Sequence, residues 1–426
     1  MVLGEVDWLS DCFTALVSPK ESKPIMNIML FDLKTTGHHA TYLHHLLQYG
    51  LHNDNQVKIV VTPKFMAQHV NVINAAAQYG RQVEWVPITA DEYSWHQANS
   101  HSLVKRVWVE WQLFCRYAKQ LQIEQALVMY IDHFQLPLAL GLAAPCAIAG
   151  IYFRPTFHYK QFMGNSLSLS DRLRAWRQET LWRRALHHPQ LRVLFSLDPL
   201  AVAPLQQLGG AKIVQLPDPI QWCEPSSDRV HTLSNELCLK TQRCKFLLFG
   251  TLHERKGIFP LLAAIKQLPA DQQQQIALLL VGQIMADNKT KFLMEIKEMT
   301  QQLPIQIVVH NEFVAEADVP AYFMLADVVL ASYQQHVGSS GILLWAAAAG
   351  KPVLASEYGL IGELVRHHHL GVTVDSTQPR EIAQGIKAFL TNNPDTLFSR
   401  PAAGQFATAN SAKHFAQTVW KNLNFC

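Results

Sequence analysis

The sequence predicts two doubly wound α/β domains facing each other across a cleft. Three observations carry this. Short apolar runs alternate with helical stretches along the chain, as parallel sheets covered on both faces require. The alternation breaks near residue 217 and then restarts for about the same length. Of the 426 residues, 49% are hydrophobic and only 16% charged. An average globular chain has roughly 25% charged residues, so sizeable cores are expected.

In the first half, Ile25–Phe31, Gln56–Val61, Val83–Val86, Ala126–Ile131, Ala147–Phe153 and Arg192–Ser196 read as strands. Ala40–Tyr49, Leu103–Gln120 and Arg172–Leu186 read as helices, the second with aromatic residues on one face. Leu136–Phe153 is uncharged, but Pro137, Gly141, Pro145 and Gly150 interrupt it. A spanning helix needs about twenty cleaner apolar residues. The stretch is therefore a short buried helix, a break at Pro145 and a buried strand.

Leu216-Pro217-Asp218-Pro219 is rigid and Glu224–Ser234 is polar, which places a boundary between domains 1–217 and 218–426. Strands Lys245–Phe249, Ala277–Val281, Gln306–His310, Val328–Ala331 and Pro352–Ala355 follow. They alternate with helices Phe259–Leu268, Lys289–Gln302, Pro320–Leu325, Ile342–Ala349 and Pro379–Leu390. A last helix, Ser411–Leu423, is expected to pack back on the first domain.

Composition excludes several classes. Thirty-six Lys and Arg against 33 Asp and Glu leave +3, with no basic stripe of a nucleic-acid binder. Seven scattered cysteines with no CxxC fit neither a disulfide framework nor a zinc ribbon, and suit a reducing, cytoplasmic setting. Residues 1–20 carry Glu5, Asp7 and Asp11 and do not read as a secretory signal. His44-His45, His187-His188 and His367-His368-His369 point apart on their helices, and no metal site or cofactor is expected.

Two stretches carry chemistry. From Gln334 to Ser356 a strand runs into a Gly/Ser loop, then an apolar helix, Gly350 and Pro352. Free amides at Ser340, Gly341 and Ile342 suit a phosphate or diphosphate; alternatively, Ser339 or Ser340 simply caps a buried helix. From Phe246 to Gly257 another strand runs into a loop with Arg255 and Lys256 before a helix. Two cations there form a diphosphate clamp, or a solvated loop.

Together these stretches resemble the retaining glycosyltransferases of the GT-B fold, specifically family 4. The counterparts of the family motifs are Gly250…Arg255-Lys256-Gly257, Gly338 through Pro352-Val353, and Gly359…Glu363. Ala326–Ser332 matches the strand before the phosphate loop, and Glu312-Phe313-Val314 the base-binding turn. The family's two glutamates, which contact donor sugar and ribose, align with Val337 and Trp345, and its arginine after the first glycine with Thr251. Neither Val nor Trp accepts a hydroxyl hydrogen bond. Diphosphate binding therefore transfers, whereas sugar and ribose contacts do not. Trp345, one turn after Gly341, can offer apolar contact beside the ribose or pack inward.

The first half resembles the family more loosely. Asp32…Thr36-Gly37-His38-His39 resembles the glycine loop where donor and acceptor meet. Asp132-His133 stands where many members place a histidine facing the sugar, although His133 can instead be a packed loop histidine, and Arg154…His158 stands at the cleft edge.

The resemblance implies retaining, metal-independent transfer from a nucleotide-diphosphate sugar to an acceptor hydroxyl on a glycan, lipid-linked or small molecule. Asp132, His133 and Lys256 are the implied catalytic residues. Arg255, Lys256, Ser339, Ser340 and Gly341 would hold the diphosphate, and Gly250, Thr251, Val314, Trp345 and Glu363 the nucleotide and sugar. Gly37, His38, His39 and Arg154 would line the acceptor side. The runner-up readings are a GT-B protein that binds nucleotide or glycan without transfer, as a partner subunit, and a nucleotide-sugar epimerase. The basic helix 171–188, with Trp176 and Trp182, suits peripheral contact with anionic lipid at the inner membrane face, or is a surface helix whose tryptophans dock on the domain.

Overall fold

The computed structural model describes residues 26–36, 38–50, 55–153, 155, 169–285, 289–336, 338 and 340–423. The first sheet holds β1 (Asn27–Phe31), β2 (Gln56–Val61), β3 (Val83–Pro87), β4 (Gln125–Val128), β5 (Ala147–Tyr152), β6 (Leu191–Ser196) and β7 (Lys212–Gln215). Their order is β3-β2-β1-β4-β5-β6-β7. The second sheet holds β8 (Cys244–Phe249), β9 (Ile276–Val281), β10 (Gln306–His310), β11 (Val328–Ala331), β12 (Val353–Ser356) and β13 (Gly371–Val374). Its order is β10-β9-β8-β11-β12-β13. Every strand pair in both sheets is parallel.

The continuous apolar runs are explained by helices on both faces. In β1, Met29 and Phe31 enter one core while Ile28 and Leu30 enter the other. In β8, Leu247 points one way and Phe246 and Leu248 the other. Helix Leu103–Gln120 buries Trp111, Phe114 and Tyr117, and the Phe114 ring meets Phe31 edge-on at 5.5 Å.

Three features differ from expectation. The strand expected to reach Ile131 ends at Val128, and a 3-10 turn, Ile131–His133, follows. Ile131 and Phe134 are both buried in one core, and the Phe134 N–H closes the turn on the Ile131 carbonyl at 2.8 Å. The polar stretch after residue 224 contains helix Ser227–Glu236, capped by the Ser226 hydroxyl and anchored by buried Leu233. Strands β7 and β13 and helices Pro199–Gln207, Gly359–His367 and Arg400–Ala409 have no counterpart in the sequence reading.

The chain passes between the sheets twice, and the two passages are tied together. The Ile220 N–H donates to the Asn410 carbonyl and the Ala412 N–H to the Ile220 carbonyl, both at 2.9 Å. Helix Ala412–Leu423 then lies on helix His39–Gly50, with the Trp420 indole N–H donating to the Leu46 carbonyl at 3.0 Å.

Candidate active site

Strand order reverses between β1 and β4 in one sheet and between β8 and β11 in the other. Loops leaving the carboxyl ends diverge at such points and open a crevice. The two crevices enclose one cleft of about 780 Å³, lined by residues of both halves.

The first wall follows β1. Asp32 and His39 are both buried, and His39 Nδ1 lies 2.7 Å from Asp32 Oδ2. A carboxylate only accepts, so Nδ1 carries a proton, and in the neutral ring Nε2 is then an acceptor. The other Asp32 oxygen accepts the Lys34 N–H at 3.0 Å, which fixes the carboxylate, and the Phe153 ring stacks on the imidazole at 5.5 Å. His39 starts helix His39–Gly50, so its ring stands at the cleft floor. One turn on, the Tyr42 hydroxyl donates to Asp218, in the first passage between the sheets, at 2.7 Å. Burial, then the Asp218 charge, pushes the Tyr42 phenol well above its ordinary value, so it remains a donor.

The second wall follows β8 and β11. Lys256 Nζ donates to the Phe249 carbonyl at 2.8 Å and contacts the Tyr333 hydroxyl at 2.5 Å. The Tyr333 hydroxyl lies 3.0 Å from the Ser340 hydroxyl. Ser340 precedes helix Gly341–Ala348 but does not cap it with its side chain, and both Ser340 and Gly341 line the cleft at that helix start. Arg255 and His336 complete this wall. Gly257 makes the arrangement possible. Its φ is +74°, and a Cβ there would stand 1.9 Å from the Ser332 carbonyl oxygen. Burial, then the charges of Arg255, Lys256 and His336, lowers the His253 imidazole below its ordinary range. The wall is thus electropositive and has room for an anion.

The cleft brings together His38, His39, Arg255, Lys256, Ser340 and Gly341 from the expected set. Gly37, Arg154, His158, Val337 and Ser339 lie outside the described residues. His133 and Asp132 do not line the cleft. Because β4 stops early, Tyr130 faces it instead, while Asp132 accepts the Phe153 N–H at 3.0 Å. His133 turns into the domain, with Nδ1 2.7 Å from Glu110. Burial alone would raise the Glu110 carboxyl, but hydrogen bonds from His133 and then His96 outweigh it and hold it at about 2.

Trp345 packs against Phe323 and Trp222, each at 6.1 Å between ring centroids, and does not line the cleft. Thr251 is exposed beside the cleft loop, and Val314 packs on the core next to exposed Phe313. Gly250, with φ +96°, lies beneath Lys256, where a Cβ would stand 3.2 Å from Nζ. Glu363 pairs with Arg366 and lines a neighbouring cavity of about 390 Å³. Tyr42, Tyr130, Asp218 and Tyr333 are site residues that the sequence did not reveal. Each acts through a partner distant in the chain: strand adjacency brings Tyr130 and Tyr333 to the cleft, and the passage between the sheets brings Asp218 to Tyr42.

Among the described residues, no group of three or more His, Cys, Asp or Glu is arranged to hold a metal ion. No helix among them is long and apolar enough to cross a membrane.

Residues 232–403 match the family of group 1 glycosyl transferases. A putative glycosyltransferase of Bacillus subtilis, YtcC, is 24% identical over 196 residues, covering 43% of this chain and 46% of that protein. An uncharacterized glycosyltransferase of Methanocaldococcus jannaschii is 26% identical over 151 residues, covering 35% of this chain and 37% of that one. The matched segment thus spans less than half of either curated relative. Among solved structures, Anabaena HepE in complex with UDP and glucose is similar at a TM-score of 0.61 and 16% identity, covering 93% of this chain and 99% of that one. WaaG, a glycosyltransferase involved in lipopolysaccharide biosynthesis, is similar at 0.60 and 14% identity, covering 94% and 100%. The fold is GT-B, and the similarity to group 1 glycosyl transferases lies in residues 232–403, within the second half of the chain.

Proposed function

We propose that the cleft binds a nucleotide-diphosphate sugar and transfers the sugar to an acceptor hydroxyl. One observation carries this reading. Lys256, linked through Tyr333 to Ser340 at the start of helix Gly341–Ala348, shares a wall with Arg255 and faces His39 across the cleft. As the glycosidic bond breaks, negative charge grows on the leaving diphosphate. Fixed cations and amides in a water-poor cleft stabilise that charge without reorganising, and they take the place of a divalent ion. On the opposite wall, His39 Nε2, held in one tautomer by Asp32, accepts a hydrogen bond from the acceptor hydroxyl and orients it. On the resemblance to family 4, the anomeric configuration is retained.

A second reading, nucleotide binding without transfer, is favoured by Trp345. On the resemblance to family 4 it stands in place of a ribose-binding glutamate, and it packs against Phe323 rather than lining the cleft.

Calorimetric titration with UDP, GDP and ADP, each beside its monophosphate, tests the proposal. One diphosphate should bind at least about tenfold more tightly than its monophosphate, the contribution of a charge-assisted contact. Absence of binding by all three would sink it. UDP is the first probe, since HepE was solved with it.

A further inference from the structure

Helix Leu169–Leu186 belongs to the same domain as His39 and packs on the first sheet through one of its cores. Its inner face carries Ala175, Trp182, Ala185 and Leu186, all buried, with the Trp182 ring 4.6 Å from Tyr152. One tryptophan of the helix therefore docks on the domain. The other does the opposite: Trp176 is 61% exposed and Leu173 is 64% exposed. Arg172, Arg174, Arg177, Arg183 and Arg184 are exposed as well.

Helical geometry orders these side chains. At about 100° per residue, Trp176 and Leu173 fall in the middle of the outward arc. Arg172 and Arg183 border one side of that pair, and Arg177 and Arg184 border the other. Glu179, at the edge of the arc, pairs with Arg183 at 3.1 Å. The outward face is thus a short apolar ridge with cations along both flanks.

The geometry points to an anionic lipid surface as the partner of this face. Interfacial helices place Trp and Leu at the acyl boundary while basic residues reach lipid phosphates. The flanking arginines match the negative surface of an acidic leaflet. A nucleic acid would meet the cations but leave the indole and leucine in water. The inference does not depend on the reaction in the cleft. Its consequence is that the acceptor-side domain is held at a bilayer, which favours a lipid-linked acceptor.

Co-sedimentation of the full chain with phosphatidylcholine vesicles, with and without phosphatidylglycerol, tests it. The wild type should sediment with the anionic vesicles and remain in solution with phosphatidylcholine alone. Combined Arg172→Gln, Arg177→Gln and Arg184→Gln should weaken partition about a hundredfold, the effect of three cations at an anionic leaflet. Combined Leu173→Ser and Trp176→Ser should weaken it roughly tenfold. All five side chains are exposed, so far-ultraviolet circular dichroism of both variants should match the wild type. Failure of the wild type to bind anionic vesicles would overturn the inference, as would equal binding to neutral ones. Unchanged partition of the Leu173/Trp176 variant would reduce the face to a general cation patch and also overturn it.

Discussion

Lys256→Met removes a cation while keeping the side-chain stem. An ammonium has three donors. In Lys256, one is taken by the Phe249 carbonyl at 2.8 Å and one by the Tyr333 hydroxyl at 2.5 Å. Among the described residues nothing occupies the third, and the side chain lines the cleft. A bound diphosphate oxygen would take that place. A hydrogen bond to a charged group contributes about 1.5–3 kcal/mol, so affinity for the diphosphate should fall about 10- to 150-fold. The fold should lose far less. Tyr333 lines the cleft, where water can replace the lost donor, at a cost of about 1 kcal/mol or less. Isothermal calorimetry with the tightest-binding diphosphate, beside a thermal melt, separates the two effects. An unchanged affinity in a folded variant would refute the clamp. A collapsed melting temperature would show that Lys256 is chiefly structural.

Four further outcomes are expected. Arg255→Ala should weaken diphosphate binding less than Lys256→Met, since among the described residues no equivalent anchor holds its side chain; an equal or larger loss by calorimetry would contradict the assigned roles. Asp32→Asn should lower turnover on the order of 100-fold with diphosphate affinity unchanged, because it frees the His39 tautomer; loss of nucleotide affinity instead would place the pair on the donor side. Turnover should persist in EDTA, and loss restored by Mg²⁺ or Mn²⁺ would argue against a protein-cation clamp. Finally, burial and then the nearby His44 hold the His45 imidazole down at about 4. Between pH 6.5 and 4 the unfolded chain therefore binds more protons than the folded one, and stability falls as pH falls through that window, by up to about 3 kcal/mol. Urea melts should show this slope in the wild type and a shallower one in His45→Leu.

Where local pattern decides structure, the sequence is legible. β2, β10, β11 and helices Leu103–Gln120 and Lys289–Gln302 begin and end as periodicity predicts. Each combines apolar spacing of one period with polar flanks. β7 and β13 are four-residue edge strands, only partly buried, and carry too little pattern to stand out. Helix Ser227–Glu236 buries little apolar surface and depends on the Ser226 cap and the Arg229–Asp318 pair, 89 residues apart in the chain. The phosphate-side cations were visible because a strand, a loop and a helix start are contiguous. Tyr42 and Asp218 lie 176 residues apart and are joined only by the passage between the sheets. His133 was misplaced because three residues of strand were expected where Ile131 and Phe134 turn the chain into the core. His133, which the resemblance puts at the cleft and which could equally pack in its loop, is a buried partner of Glu110, and Tyr130 takes the cleft position.

In the proposed reaction the cleft breaks the bond between a sugar and a nucleoside diphosphate. Mass-spectrometric detection of nucleoside diphosphate released from UDP-glucose, GDP-mannose and ADP-glucose, over long incubation with water taking the sugar and again with a panel of glycan and lipid-linked acceptor hydroxyls, tests it, with the wild type beside Lys256→Met. The account predicts release from one of these donors by the wild type and a sharp fall in the variant. Intact donors throughout, with a diphosphate nonetheless binding the wild type, would contradict transfer and leave a nucleotide-binding protein.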